Sequence, residues 1–210
     1  IPEGFRADEI ADMLEEKMPN YEESWRQTLR QNEGYLFPDT YLIPRDADAQ
    51  TVVKLLTDTF ETRFASIDTS KTDLTKEEII IIASLVEREA RHAEDRPLVA
   101  GVILNRFDIG MKLDIDATIQ YALGYQEDEK RWWKRSLTLE DLQINSPYNT
   151  YKVAGLPPTP ISNPGLASLN AVVNPTPSDY LYYITDPKGI NHYAEDLEGH
   201  RANIEKYGTP

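Results

Sequence analysis

The sequence predicts an α+β fold, a single helix-rich domain in which a few strands and long loops rich in proline and aromatic residues are set between helices. Two observations predict this class. Apolar side chains recur at helical spacing in several segments, and from Pro147 onward the composition shifts to Pro, Asn, Tyr and Gly, which favours loops and short strands. The 210 residues are enough for one good-sized hydrophobic core.

The first third of the chain is predicted to be helical around one extended loop. Residues 1–34 form a helical entry segment, because apolar side chains recur at helical spacing: Ile10, Met13 and Leu14, then Tyr21, Trp25 and Leu29. Residues 33–41 are aromatic and interrupted by Pro38, which predicts a strand or an extended loop. Residues 49–66 have the pattern of an amphipathic helix.

The clearest helix runs from Thr75 to Arg91. Thr75 is its expected N-cap, and Glu78 three residues later completes a capping box. Further helices are predicted from Pro97 to about Phe107 and over 117–123, 165–173 and 197–207. Residues 124–136 have the character of a surface excursion, and residues 180–184 that of an aromatic strand.

The helix from Thr75 carries two glutamates that are predicted to lie on different faces. At about 100° per residue, Glu89 falls within the apolar stripe, whereas Glu87 falls on the other side and is expected to face solvent. The stripe consists of Ile79, Ile82, Leu85, Val86, Ala90 and Ala93. The two carboxyl groups are therefore not expected to share a cleft.

Glu89 is the candidate catalytic acid. A carboxyl group in apolar surroundings has a raised pKa, and a general acid for glycosidic bond cleavage must hold its proton near neutral pH. The pattern alone is equally compatible with a buried Glu89 that pairs with Arg106 or Arg96, because structural ion pairs also perturb carboxylates.

A proline-stiffened loop is the second candidate for a functional segment. It carries Asn149, Thr150 and Tyr151, and such a loop suits a sugar cleft because amides and hydroxyls bond sugar hydroxyls while aromatic faces stack on pyranose rings. The alternative is a connector whose polar groups cap the backbone. Asp114 and Asp116 are candidate partner carboxylates, although Asp116 also fits a helix N-cap.

The composition of the chain and the motifs that it lacks exclude several classes of function. The formal net charge of −14 repels phosphate backbones, so nucleic acid is not an expected partner. The chain has no cysteine for disulfides, thiolate zinc sites or nucleophilic catalysis. No histidine shows metal-ligand spacing, and neither a phosphate-binding loop nor a dinucleotide fingerprint occurs, so no metal or organic cofactor is expected. His192 stands in an aromatic context, whereas the other two histidines are predicted to lie on the surface.

Several strings, in order along essentially the whole chain, resemble the MltG (YceG-like) family of endolytic peptidoglycan transglycosylases. Residues 83–90, Ala-Ser-Leu-Val-Glu-Arg-Glu-Ala, are similar to the catalytic-helix motif, and residues 33–41 to the EGxxxPDTY segment. Stretches within 105–121, 148–165 and 180–183 follow in the family's order. Residue 117 is Ala where relatives often carry Pro, and residues 124–136 are longer and richer in Trp than the family pattern.

The resemblance implies an organisation and a location. Residues 1–34 would follow a LysM-like module outside this chain, and residues 35–210 would form the YceG-like catalytic domain. A single N-terminal transmembrane helix, also outside this chain, would hold the protein in the cell membrane with the catalytic domain on the extracytoplasmic side. The expected partners are peptidoglycan glycan strands, penicillin-binding synthases and other cell-wall elongation proteins.

The resemblance also implies an activity, lytic transglycosylation. The enzyme would cleave the MurNAc–GlcNAc β-1,4 bond of nascent peptidoglycan and leave 1,6-anhydro-MurNAc ends that terminate strand elongation, with Glu89 as the catalytic residue. Candidate substrate-binding residues are Asn149, Thr150, Tyr151, Asp116, Thr118, Tyr182 and His192. Two alternatives stay open: a lysozyme-like muramidase that uses Glu89 with Asp114 or Asp116, and a non-catalytic peptidoglycan-binding scaffold in which Glu89 forms a structural ion pair.

Overall fold

The computed structural model describes residues 1–208. Within that range the chain forms eight α-helices and one two-stranded sheet: α1 Ala7–Lys17, α2 Ser24–Arg30, α3 Ala49–Phe64, α4 Lys76–Glu89, α5 Arg96–Asp108, α6 Asp116–Leu123, α7 Leu166–Val173, β1 Tyr182–Thr185, β2 Asn191–Ala194 and α8 Leu197–Tyr207. The predicted α+β class is confirmed. No helix of residues 1–208 has the length and apolar character to cross a membrane.

Helix α4 lies at the centre of the main core. Every residue from Ile79 to Val86 is buried, because α5, α6 and α7 all pack against this helix. The predicted capping box is present: the Thr75 hydroxyl accepts a bond from the Glu78 backbone N–H at 3.2 Å, and the Glu78 carboxylate accepts one from the Thr75 N–H at 2.8 Å. The cap therefore fixes where α4 begins, and the helix ends at Glu89 because Ala90 adopts an extended conformation.

Two hydrophobic cores share helix α3. The smaller core joins α1, α2 and the first half of α3, and the larger one surrounds α4. Val52 and Leu56 belong to the smaller core, whereas Phe60 belongs to the larger one. The division of the chain at residue 34 stays a prediction.

Asn163 and Glu33 link the two cores. The Asn163 side-chain oxygen accepts bonds from the backbone N–H groups of Gly34 and Leu36, both at 2.9 Å. Its amide nitrogen donates to Glu33 at 2.9 Å. Gly34 has a φ of +88°, and a Cβ there would lie 2.4 Å from the Pro160 ring, so only glycine allows this close approach. Residues 33–36 form turns and loop instead of a strand.

The stretch 124–136 lies at the surface, as predicted, except for one buried side chain. Trp133 is buried in the main core, its ring lies 3.7 Å from the Arg88 guanidinium carbon, and its indole N–H donates to Glu9 at 2.8 Å. The indole has both an apolar ring to bury and a polar group that finds a partner on α1. The excursion therefore folds back and joins α1 to α4.

The C-terminal part is a β-hairpin covered by α8. Strands β1 and β2 are antiparallel, with Tyr183 opposite Tyr193, and α8 packs on both strands. The Asn105 side-chain amide donates to the carbonyls of Ser178 and Tyr180 at 2.8 and 3.0 Å. These bonds attach the hairpin to α5, next to the end of α4.

Candidate active site

Glu89, the last residue of α4, lines a cavity of about 480 Å³. The other walls come from four parts of the chain, which are α5, the segment before α6, the loop at Tyr151, and the hairpin with α8. Their lining residues include Arg106, Asp114, Asp116, Tyr151, Tyr182, Tyr183 and His200. The fold thus brings residues from most of the C-terminal half of the chain to one carboxyl group.

A single short hydrogen bond orients the Glu89 carboxyl group. The Tyr183 hydroxyl donates to Glu89 Oε2 at 2.6 Å. The two arginines considered as ion-pair partners lie elsewhere: Arg96 binds Glu87 at 2.9 Å, and the nearest carboxylate to Arg106 is Asp114 at 3.7 Å. Within residues 1–208, Glu89 makes no ion pair, which removes the structural ion-pair interpretation.

The surroundings raise the pKa of Glu89. Burial is the main cause, the hydrogen bond from Tyr183 opposes it, and the negative charge of Asp116 raises the pKa further. Glu89 also sits at the C-terminal end of α4, where the helix dipole disfavours a negative charge. The Ala117 backbone N–H at the start of α6 acts in the opposite direction. The net effect keeps a proton on Glu89 at higher pH than on an exposed glutamate.

The position of Glu87 contradicts the prediction that its side chain faces solvent. Its side chain is 4% exposed and pairs with Arg96, and its second oxygen accepts the Gly165 N–H at 2.9 Å, at the N-terminus of α7. The arginine and the helix N-terminus together stabilise the charged carboxylate. Glu87 and Glu89 also both line a shallow depression, so the expectation that they share no cleft is wrong for that depression.

Two further carboxyl groups stand in the cavity wall. The Tyr151 hydroxyl donates to Asp116 Oδ1 at 2.6 Å, which places these two predicted residues side by side in the cavity. Asp114 has a φ of +51°, a left-handed conformation that Asp tolerates better than most residues. Burial raises the pKa of Asp114, and the nearby Arg106 charge opposes that shift.

Three predicted substrate-binding residues are buried beneath the cavity. The Asn149 amide donates to the carbonyls of Leu142 and Ile144. The Thr150 hydroxyl accepts the Ile115 N–H at 3.0 Å and bonds the Thr118 hydroxyl at 2.9 Å. Their polar groups thus bond inside the protein, and Asn149, Thr150 and Thr118 are not among the residues that line the cavity; their predicted role in substrate binding stays a prediction.

The hairpin contributes an aromatic wall. The Tyr182 ring stacks on His200 with centroids 5.0 Å apart, and the Arg106 guanidinium lies 5.0 Å from the same ring. Burial, followed by the Arg106 charge, lowers the pKa of His200. The prediction of a surface position is therefore wrong for His200, which is only partly exposed and lines the cavity.

His192 lies away from this cavity. Its ring stacks on Tyr207 with centroids 3.5 Å apart, and its Nε2 lies 3.2 Å from Asp186.

Tyr183 and Arg106 complete the site but were not predicted as site residues. Neighbouring residues of a strand point to opposite faces, and this alternation was the available signal that Tyr182 and Tyr183 have different partners.

The assembled side chains suit acid–base chemistry on a sugar. One carboxyl group has a raised pKa and is held by a hydrogen bond, a tyrosine-bonded carboxylate stands in the same cavity, and aromatic rings offer stacking surfaces. Residues 1–208 contain no group of three or more His, Cys, Asp or Glu side chains arranged to hold a metal ion.

The comparisons with known proteins agree with one another. A family model described as the YceG-like family matches residues 1–206. An endolytic murein transglycosylase from Bacillus subtilis is 35% identical over 181 residues, which cover 83% of this chain and 48% of the relative. One from Streptococcus pneumoniae (strain D39) is 37% identical over 182 residues, 83% of this chain and 32% of the relative. The chain thus spans about half, or about a third, of the length of these relatives.

A solved structure extends the similarity to the fold. The crystal structure of a YceG-like protein from Listeria monocytogenes superposes with a TM-score of 0.84 at 30% sequence identity. The match covers 96% of this chain and 74% of that one. The similarity therefore includes both cores and the hairpin.

Proposed function

The chain belongs to the YceG-like family, and from that premise we propose that it is the catalytic part of an endolytic murein transglycosylase. Its substrate is the β-1,4 bond between N-acetylmuramic acid and N-acetylglucosamine of peptidoglycan. The observation that carries the proposal is Glu89, a carboxyl group without an ion-pair partner in residues 1–208 whose pKa is raised and which opens on a cavity. A carboxyl group in that state is a general acid for glycosidic bond cleavage.

The proposed reaction uses Glu89 twice. Its proton passes to the glycosidic oxygen, which leaves as the O4 hydroxyl of N-acetylglucosamine while an oxocarbenium-like state forms at C1 of the muramic acid. The Glu89 carboxylate then takes the proton of the muramic acid C6 hydroxyl, whose oxygen bonds to C1 and closes the 1,6-anhydro ring. Glu89 ends protonated as it began, and no water enters the reaction.

The neighbouring residues support both steps. The hydrogen bond from Tyr183 to Oε2 holds the Glu89 carboxyl group in position at the cavity. The same hydrogen bond, with the Ala117 N–H, stabilises the carboxylate formed between the two steps. Tyr182 and Tyr151 line the cavity and offer ring faces and a hydroxyl to the sugars.

The test is mass spectrometry of the products formed from uncrosslinked glycan strands by the wild-type chain and by Glu89→Gln. We expect wild-type products that are lighter by one water at the muramic end, and no products from the variant. Glu89→Gln should unfold at the same temperature as the wild type or higher, because a buried carboxyl group without an ion-pair partner costs stability. Cleavage by a folded Glu89→Gln variant would contradict the assignment of the acid.

A second candidate, a muramidase, is favoured by one observation. Asp116 lines the same cavity as Glu89, and its charge acts on Glu89, so a second carboxylate is available to activate water or stabilise the oxocarbenium ion. The same mass spectra distinguish the two reactions, since hydrolysis gives reducing ends. Asp116→Asn would then remove reducing-end products selectively.

The scaffold alternative predicts an ion-paired Glu89, and no such pair exists within the part of the chain that the structure describes. We therefore favour an enzyme.

The proposal extends to the place of action, which is the cell membrane, with this domain on the extracytoplasmic side. A helix outside this chain would tether the domain, which would work beside penicillin-binding synthases. Family membership supports this location, and fractionation of cells that produce the full-length protein tests it.

A further inference from the structure

Glu89 stands between two depressions of different character. One is the cavity described above, and the other is a more open depression of about 600 Å³ on the other side of Glu89. Five charged residues line the second depression, and they are Glu87, Arg88, Glu89, Arg91 and Asp186. A polymer bound across Glu89 would therefore contact a carboxyl- and tyrosine-lined surface on one side and this charged depression on the other.

The carboxylates of the second depression already have partners. Glu87 binds Arg96 and the Gly165 N–H. Asp186 accepts the backbone N–H groups of Lys188 and Ile190 at 2.8 and 2.9 Å and lies 3.2 Å from His192. These bonds satisfy the hydrogen-bonding groups of both carboxylates within the protein, and Arg96 also compensates the charge of Glu87.

The cations of the depression have no such partners. Throughout residues 1–208, no carboxylate lies within the 4.0 Å ion-pair distance of Arg88 or Arg91. Arg88 stacks on Trp133 at 3.7 Å, bonds the Gly4 carbonyl only at 3.4 Å, and has a buried Nε without a hydrogen-bond partner. Two arginines without an ion-pair partner in residues 1–208 therefore line the same depression.

The hairpin turn holds Arg91 at the edge of the depression. Gly189 has a φ of +85°, and a Cβ added there would lie 3.3 Å from Arg91 Cδ. The same Cβ position lies 3.4 Å from Arg91 Nη1, so the turn packs along the arginine side chain up to one guanidinium nitrogen, while Arg91 itself is exposed. A rim guanidinium with free donors is suited to bind a carboxylate in two-pronged geometry.

We propose that Arg91, with Arg88 behind it, binds a carboxylate carried by the 3-O-lactyl arm of the muramic acid at the cleavage site. The inference rests on the proposed function, which places a muramic acid next to Glu89. The sugar backbone of peptidoglycan is uncharged, so its acidic groups are on this arm. They are the carboxylates of a stem peptide or, after the peptide is removed, the lactyl carboxylate itself. The enzyme thereby selects acidic, peptide-bearing strands over neutral glycans.

The test compares three forms of the same uncrosslinked strands. One form carries intact stem peptides, one has its peptides removed by an amidase, and one has all carboxylates converted to amides with carbodiimide and ammonia. The kcat/KM of each is measured for the wild type, Arg91→Gln, Arg91→Lys and the control Arg45→Gln. Arg45 is also exposed and lies between α2 and α3, outside both depressions beside Glu89.

We expect the wild type to favour intact over amide-converted strands by about three- to tenfold, the range for an accessible ion pair. Arg91→Gln should lose that preference, Arg91→Lys should keep part of it, and Arg45→Gln should keep all of it. A loss restricted to intact strands assigns the site to the carboxylates of the stem peptide. A loss on amidase-treated strands as well means that the site also accepts the lactyl carboxylate, which is free only after the peptide is removed.

The two proposals fail in different ways. If the wild type cleaves all three forms at the same kcat/KM, or if Arg91→Gln keeps the preference, the carboxylate site is wrong while the enzymatic function stands. If none of the strands is cleaved, the function itself is wrong and the carboxylate site falls with it.

Discussion

At the scale of single residues, Glu89 lies where two helix ends of opposite polarity meet. The C-terminus of α4 disfavours a negative charge on Glu89, and the first turn of α6 stabilises one. Burial decides the balance in favour of the proton. The raised pKa favours the protonated carboxyl group, yet the charged form keeps two hydrogen-bond donors, Tyr183 and the Ala117 N–H. An acid that must also act as a base needs both properties.

Tyr183→Phe tests this balance. The hydrogen bond from Tyr183 lowers the pKa of Glu89, so its loss raises that pKa. Because the acid must be protonated, activity falls as the pH rises through the pKa of Glu89, and the alkaline limb of kcat/KM should move to higher pH. The maximal rate should fall by about tenfold, because the intermediate carboxylate loses a donor.

Tyr193→Phe is the matched control for this measurement. Tyr193 lies opposite Tyr183 in the hairpin and does not line the cavity, so its pH profile should follow the wild type. A Tyr183→Phe profile with the wild-type alkaline limb would mean that the tyrosine does not set the acidity of Glu89.

The sequence was sufficient to select Glu89 but not to explain it. The helical wheel assigns Glu89 to an apolar face and Glu87 to a solvent face, whereas α4 is enclosed on all sides and both carboxyl groups are largely buried. The difference between them is the partner: Arg96 from the next helix reaches Glu87 and a tyrosine from the distant hairpin reaches Glu89. No spacing within one helix contains that information.

At the scale of secondary-structure elements, the N-terminal cap of α4 can be changed without touching the candidate catalytic residue at the other end of the helix. Thr75 stands at the N-terminus and Glu89 at the C-terminus of a 14-residue helix, about 20 Å apart at 1.5 Å per residue. Thr75→Ala removes one half of the capping box and should lower the free energy of unfolding by about 1 kcal/mol. Urea unfolding measures this loss, and kcat/KM should stay at the wild-type value.

Thr62→Ala is the control for the cap prediction. Thr62 is an exposed threonine inside α3, where alanine is the better helix former. That variant should be as stable as the wild type or slightly more so. Equal unfolding free energies for Thr75→Ala and Thr62→Ala would show that the capping box contributes nothing.

Most of the helices and strands were predicted from the sequence, and strand β2 was not. The helices follow from apolar periodicity, because each needs an apolar face to join a core. Strand β2 was missed because Asn191–Ala194 is short and polar at its start. Asp186 and Gly189 mark a turn between two tyrosine-bearing segments, and that turn chemistry was the signal for a hairpin.

At the scale of the whole molecule, polar side chains and not only apolar contacts hold distant segments together. Substrate binding by the loop around Asn149 and Thr150 stays a prediction, because the polar groups of these two residues bond within the protein. The residue types suit a sugar, but they equally suit bonds to buried backbone groups. Thr150 binds residues 32 and 35 positions away, and such pairings follow from the tertiary fold alone.

Glu33 gives the most direct test at this scale. It is buried at the junction of the two cores, and it accepts hydrogen bonds from the Ala7 N–H and from Asn163. Burial raises its pKa to about 8, with the Ala7 N–H and the Arg6 charge opposing the shift. The folded state thus holds a proton that the unfolded chain releases near pH 4.5. The resulting stability is complete below that pH and is lost as the pH rises through about 8.

Glu33→Gln should abolish this dependence, because glutamine stays neutral. We expect the wild-type unfolding free energy to fall between pH 5 and pH 8 by up to about 1.4 kcal/mol per pH unit more than that of the variant. Glu89 acts in the same direction, so both proteins should carry Glu89→Gln and be unfolded in urea at several pH values. Parallel curves would mean that Glu33 is ionised in the folded chain, and that Arg6 and the Ala7 N–H outweigh its burial at the junction of the two cores.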